Sequence, residues 1–330
     1  MDTLVAPMRD RLLVYTGGET RTLLEGTDLE CVAISPHAPD RVFVGTFEDG
    51  LYRSSDGGGT VEPIARNAFV SDAVMSLAIS PHDPEVVYAG TEPSRVYRSR
   101  DGGETWTHLE GLVDLPSEDE WYFPPRPHTH HVRWLEVDPF DPNRVYIGIE
   151  AGALVLRDEA AETWRERPDG SRIDNHSLAT HAEREGRVYS AAGDGYAQSD
   201  DGGETWYQPQ AGLEHQYCWS VVPQQDDPDR VLVSSASGAS SAHTASRADA
   251  HVYRKSGPDA PWQRLDGRGL PMGEGVVRAV FDRDPATGDV YAVTNRGVFV
   301  TGDFGDSWGR VGLEWSETLE SITPRGLAVV

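Results

Sequence analysis

Two glutamates occupy matching places in the chain. Glu92 lies in AGTEPS and Glu150 in IGIEAG, each at the end of an apolar run. Asp194, in AAGDG, falls one position away in a third such segment. Carboxylates flanking a cleft can supply an acid and a base, and in glycoside hydrolysis their separation selects the stereochemical outcome. Histidines gather in neighbouring stretches, with HTHH at 128–131 and a further histidine at 176. Imidazoles move protons near neutrality or bind transition metals. His131 and His176 are candidate proton-transfer groups, with Tyr217 as a partner. Together with His130 they are also candidate ligands of a divalent metal. HTHH lacks the i, i+4 helical spacing of zinc motifs and reads equally as a polar loop. Arg133 and Arg325, with Arg278 as a further candidate, could fork onto a carboxylate or sulfate. Arg133 could equally pair with Glu92 or Glu150. Trp121, Tyr122 and Trp219 offer ring faces to a ligand such as a sugar, as does Trp315.

These residues share a repeating frame. DGGETW occurs at 101–106 and again at 201–206, and related boxes are SSDGGGTVEPI (54–64), LRDEAAETWRER (156–167) and TGDFGDSWGRV (301–311). YRKSGPDAPWQRL (253–265) is a worn copy. Successive boxes lie about 45 to 57 residues apart, a period that suits a four-stranded unit. VMSLAISPHDPEVVYAGTEPSRVYRS reads as strand, turn, strand, loop, strand. The box then forms a turn before a fourth strand. Six such units are expected near 27–66, 72–110, 130–168, 174–210, 216–266 and 275–312. The N-terminal segment 2–26 matches the last three strands of a unit, and RGLAVV at 325–330 matches a first strand. The expectation is a single all-β domain over 1–330, a seven-bladed β-propeller of four-stranded antiparallel blades closed by both chain ends. Closure leaves no free sheet edge.

The boxes resemble the Asp-box, or BNR repeat, of sialidases, xyloglucanases, sortilin-like receptors and photosystem II assembly factors. The resemblance covers nearly the whole chain. It implies a propeller whose box aspartates are structural, and ligands that use the face where each first strand begins. It does not carry one chemistry with it. Sialidases have six blades and a tyrosine–glutamate pair that has no match here. Xyloglucanases place their aspartates across two propellers, and this chain has one. On that mouth face fall His128, His130, His131, His176, His215, His243 and His251, together with the two longest insertions. The first, 110–131, is aromatic and proline-rich and is expected to form an ordered wall. The second, 234–251, is small and polar and is expected to be a flexible flap. The box at Asp158 has lost its glycines, so altered turn geometry is expected there.

Composition limits the partners. Acidic residues number 54 against 29 basic ones, and Lys255 is the one lysine. Such an excess suits a salt-accumulating, halophilic cell, where carboxylates hold water and screening shortens repulsion. It disfavours nucleic acid, which needs a basic face. There is no run of apolar residues long enough for a membrane span and no basic-then-apolar leader, so a cytoplasmic location is expected. Cys31 and Cys218 lie in apolar runs and are expected to be buried free thiols. The functional expectation is a glycoside-hydrolase-like or lyase-like propeller that acts on, or binds, a polar carbohydrate-type small ligand, neutral or anionic, at the channel mouth. A non-catalytic binding or assembly scaffold with a protein partner, and a histidine-ligated metal-dependent enzyme, are the alternatives.

Overall fold

The structure is a computed structural model that describes residues 3–330; residue 2, where the closing segment was expected to begin, lies outside the described residues. Seven antiparallel sheets follow one another around a ring. Blade one runs Leu29–Ser35, Ala38–Thr46, Leu51–Ser54 and Glu62–Ile64. Blade two begins at Val74 and blade three at Val132. Blade four has three strands from Asn175, and its fourth is reduced to a bridge between Gln198 and Tyr207. Blade five begins at Tyr217 and gains an extra pairing, Gly273–Glu274 on Asp249–Ala250. Blade six begins at Val280. The closing blade joins Leu4–Met8, Arg11–Thr16 and Glu19–Leu23 to Ala328–Val329, with Leu4 opposite Val329 and Val5 opposite Ala328.

Apolar side chains pack between neighbouring blades. Tyr88, Val96 and Leu109 of blade two meet Leu135, Val145 and Ile147 of blade three. Val222 and Leu232 of blade five meet Phe281, Phe299 and Trp308 of blade six. This explains why the strands read as nearly continuous Val, Ile, Leu and Tyr rather than as alternating runs: both faces of most blades are covered. Cys31 and Cys218 are free and buried. Among the described residues no helix is long and apolar enough to cross a membrane.

Each well-formed box is the turn from third to fourth strand. At Asp101 the carboxylate accepts from the Ser99 hydroxyl (2.7 Å), the Thr105 amide (2.9 Å) and the Thr105 hydroxyl (2.6 Å). The Ser99 hydroxyl oxygen accepts from the Gly103 amide at 2.9 Å. Gly103 has φ +91°, and a Cβ there would sit 2.7 Å from the Phe43 ring of the preceding blade. Glycine is therefore required twice over, by backbone and by contact. Asp201 repeats the pattern bond for bond. Asp158 departs from it: one carboxylate oxygen caps the Ala160 and Ala161 amides, and Glu162 takes the positive φ, +53°.

Candidate functional site at the channel mouth

The first strands of blades one to five each carry a register break at the same place. The skipped residues are Glu30, Met75, Arg133, His176 and Trp219. A bulge re-aims its side chain out of the sheet, and these five turn toward the axis. Arg278 and Arg325 lie just ahead of the corresponding strands of blade six and the closing blade. Contacts around Trp219, one of them from the non-adjacent blade three, show the convergence. The guanidinium of Arg133 lies 4.8 Å from the Trp219 ring centre, and that of Arg278 lies 4.2 Å from it. Small residues permit the close approach. The Ser177 hydroxyl accepts the Val221 amide and the Ser220 hydroxyl the Phe281 amide, each tying its blade to the next.

Three arginines thus share one channel with little to balance them. Arg325 is 3.4 Å from Glu30, and Arg133 is 3.8 Å from Glu150. Arg278 is fully buried, and none of its three guanidinium nitrogens has a hydrogen-bond partner in the protein. Burial, followed by the charges of Arg133 and Arg325, pushes it well below the ordinary arginine value. An uncompensated buried cation costs several kcal/mol. Trp219 is 5% exposed beneath these groups, so it floors the guanidinium cluster and offers no free face for a sugar.

Next to the arginines lies a carboxylate–imidazole–carboxylate row. Glu150 Oε2 accepts from His131 Nε2 at 3.0 Å, and Glu92 Oε2 is 3.5 Å from His131 Nδ1. Glu92 is also held by both arms of Arg126, with Nε at 2.7 Å from Oε1. Burial alone would raise the Glu150 carboxyl. The His131 hydrogen bond and the positive charge gathered around it outweigh burial and hold it well below the usual range. The expectation of Glu92 and Glu150 as acid and base therefore needs correction. The structure brings them to either side of one imidazole, where Glu92 is gripped by Arg126 and Glu150, hydrogen-bonded to His131, is held low, so neither carboxyl stands free to flank a ligand. They clamp His131.

Tyr217 and His243 form a second pair at the mouth, with the hydroxyl 3.1 Å from Nε2. Burial, then the Glu150 and Asp174 charges, raise the Tyr217 hydroxyl, while burial and then Arg278 push His243 well down. Tyr217, His243, Asp174 and Arg325 are half-buried and form the opening; the groups beneath them are buried. The segment read as a flexible flap is instead seated over the channel. It forms a short helix, Ala239–His243, and a turn, Ala245–Arg247. The Ala242 carbonyl accepts the Arg278 amide at 3.0 Å, and the Thr323 hydroxyl donates to the His243 carbonyl at 2.7 Å.

Other expected residues stand apart. His130 pairs with Glu118 at 3.1 Å and meets the edge of Trp121, so it does not join His131 and His176 as a metal ligand. Trp121 is buried, its indole donating to Ser117 at 2.8 Å; it braces the wall and presents no platform. Tyr122 is exposed on the rim. Asp194 is exposed and faces Arg172 at 3.8 Å, and its expected place beside Glu150 is taken by Asp174. The groups able to hold a metal among the described residues are Glu150–Asp174–His176, at the mouth, and His215–Asp249–His251, in blade five. Asp174 and Arg126 were not read from the sequence. Asp174 had a signal: it stands two residues before His176, in the segment that leads into the first strand of blade four. A cavity of about 550 Å³ lies on the far face between blades one and two, but its arginines, Arg41 and Arg53, are already paired with Glu85 and Glu104.

No family model and no curated protein sequence matches the chain. Solved structures do. The GH74 enzyme of Niastella koreensis superposes with TM-score 0.72 at 18% identity, covering 93% of this chain and 52% of that one. The GH74 xyloglucanase of Xanthomonas campestris gives 0.67 at 15% identity, over 94% and 53%. YCF48 bound to D1 peptide gives 0.61 at 12% identity, over 99% and 95%. The chain spans about half the length of these GH74 enzymes and nearly all of YCF48. At such identities the likeness is one of fold.

Proposed function

We propose that the chain binds a small anionic ligand of carbohydrate type, bearing a carboxylate or sulfate, on Arg133, Arg278 and Arg325. The observation that carries this reading is Arg278, fully buried with every guanidinium nitrogen unpartnered beside two further arginines. An oxyanion would accept from these donors and remove their mutual repulsion. The GH74 neighbours make a carbohydrate a reasonable class.

Beside the anion stands the Tyr217–His243 pair, while Glu92 is held by Arg126 and Glu150 by His131. That equipment suits elimination from a uronate-type sugar better than hydrolysis. Arginine would neutralise the sugar carboxylate. The phenol–imidazole pair would take the proton from the adjacent carbon as the β C–O bond breaks and a C=C bond forms, and the departing oxygen would take up a proton. The same guanidinium groups would accept a peptide carboxylate, which is the scaffold alternative and fits the peptide-bound YCF48 neighbour.

The test is calorimetric titration of the purified protein with uronic-acid oligosaccharides, sulfated oligosaccharides and an acidic peptide, followed by ultraviolet detection of an unsaturated sugar product. Saturable binding to an anionic sugar, lost in Arg278→Met, supports the reading, and product formation lost in Tyr217→Phe assigns the elimination. Preference for the peptide returns the scaffold. Binding that Arg278→Met leaves intact overturns the site.

A further inference from the structure

A second feature at this mouth points to a cation, and it stands without the anion-binding reading. The His176 side chain is fully buried, and its Nδ1 lies 2.6 Å from the Cys218 carbonyl oxygen. A carbonyl only accepts, so Nδ1 carries the proton and the lone pair of the neutral ring sits on Nε2. That Nε2 has no hydrogen-bond partner. It faces Asp174 Oδ1 at 3.7 Å and Glu150 Oε1 at 3.8 Å. In the neutral ring that lone pair is aimed at two carboxylate oxygens, a repulsive arrangement that a cation would relieve.

We propose that Glu150, Asp174 and His176 form a site for a first-row divalent metal ion. The three donor atoms lie within 4.8 Å of one another. Metal–ligand bonds of about 2.0–2.2 Å put neighbouring donors roughly 3–3.5 Å apart, so binding asks for a contraction of a few tenths of an ångström at His176 and of up to about 1–2 Å between the two carboxylates. The surroundings match those of metal ligands, whose remaining atoms are held by outer partners. His176 is oriented by the Cys218 carbonyl. Glu150 Oε2 accepts from His131 at 3.0 Å, and Asp174 Oδ1 accepts from the Ala151 amide at 2.8 Å. Gly193 makes room for the Asp174 carboxylate, since a Cβ there would lie 1.8 Å from Oδ2. One imidazole and two carboxylates suit Mn²⁺, Co²⁺ or Zn²⁺ better than a thiophilic ion. Three protein ligands leave coordination positions for water or an oxygen of a bound molecule. The Tyr217 ring, at the mouth, lies 4.8 Å from the His176 ring.

The test uses the full chain, stripped with chelator and dialysed against Mn²⁺, Zn²⁺ or Co²⁺ in high-salt buffer. Bound metal is then measured by elemental analysis, and Co²⁺ also by its visible spectrum. One equivalent is expected, with affinity at least tenfold weaker in Asp174→Asn and in His176→Gln and unchanged in His251→Gln, which disables the blade-five cluster. Wild type should gain several degrees of Tm with metal, and Asp174→Asn should gain none while keeping its circular dichroism. Absence of stoichiometric metal at millimolar concentration, or full retention of it in both mouth variants, overturns the proposal. Metal binding that persists in Arg278→Met, where anion binding is lost, separates this site from the arginine cluster. Anion binding to wild type that takes up no metal sinks this proposal alone.

Discussion

Arg278 and Glu136 show how a single buried ionisable side chain sets the stability of the ring. Arg278 carries a buried charge with no protein acceptor. Its replacement by a similar-sized apolar group should therefore stabilise the ligand-free protein, the reverse of the usual sign for a core substitution. Arg278→Met is expected to gain about 1–4 kcal/mol in urea unfolding without ligand. A loss instead would mean that an unseen partner satisfies the guanidinium. Glu136, on the first strand of blade three, accepts from the Thr180 amide (3.2 Å) and hydroxyl (2.8 Å), and burial pushes its carboxyl up to about 7. Because the folded value is raised, the stabilising contribution is complete below the unfolded value and is lost as pH rises through about 7. Burial also pushes Asp282 up to about 6, which acts in the same direction over a lower window. Stability should thus fall between about pH 4.5 and 7, and Glu136→Gln should flatten that fall by about 1–3 kcal/mol, followed by denaturant midpoints across the range.

Turns and bulges are the elements that convert a repeated sequence into a ring with a site. Ser199 is fully buried and serves two masters in its box, donating to Asp201 at 2.8 Å and accepting the Gly203 amide at 2.9 Å. Ser199→Ala leaves that buried amide unsatisfied and should cost about 1–3 kcal/mol, read as a lowered denaturant midpoint without loss of ligand binding. The bulges act at the opposite end of each blade. In a regular strand, residues 133, 176 and 219 would each point to one face of its own blade and be absorbed by packing between blades. The extra residue frees them to reach the axis. Serines 177 and 220, one residue later, tie the loosened strands to the next blade, so the loop side of the ring holds its polar groups without fraying.

Closure decides the behaviour of the whole molecule. Ala328–Val329 pairs with Leu4–Val5, and the Val329 amide also donates to Asp282 of blade six at 2.8 Å. The C-terminal strand therefore holds the closing blade to its neighbour as well as completing it. Deleting residues 326–330 should broaden unfolding and lower Tm by several degrees, with the N-terminal strands becoming the first to exchange amide hydrogens. Net charge acts across the same scale. At −25 the surface repels itself, and salt near molar strength shortens that repulsion to about 3 Å. Tm should rise steadily from 0.1 M to molar KCl; a flat response would remove the argument from acid excess.

The ring was legible in the amino-acid sequence because its causes are local and repeated. DGGETW prescribes a turn through its own side chains, the Val- and Tyr-rich runs prescribe strands, and RGLAVV resembles the first strand missing from the N-terminal segment. The positions of Arg133, His176, Trp219 and Arg325 could be superposed for the same reason. What they touch could not. That Glu92 is tied to Arg126, that Glu150 clamps His131, and that Asp174 faces His176 are outcomes of loops from different blades meeting across a channel. Nor could composition show that Arg278 would lie buried without a partner, or that a serine- and alanine-rich flap would settle over it. Local sequence dictates turns and strands through bonds a few residues long, whereas charge compensation and burial depend on groups brought together only when the ring closes.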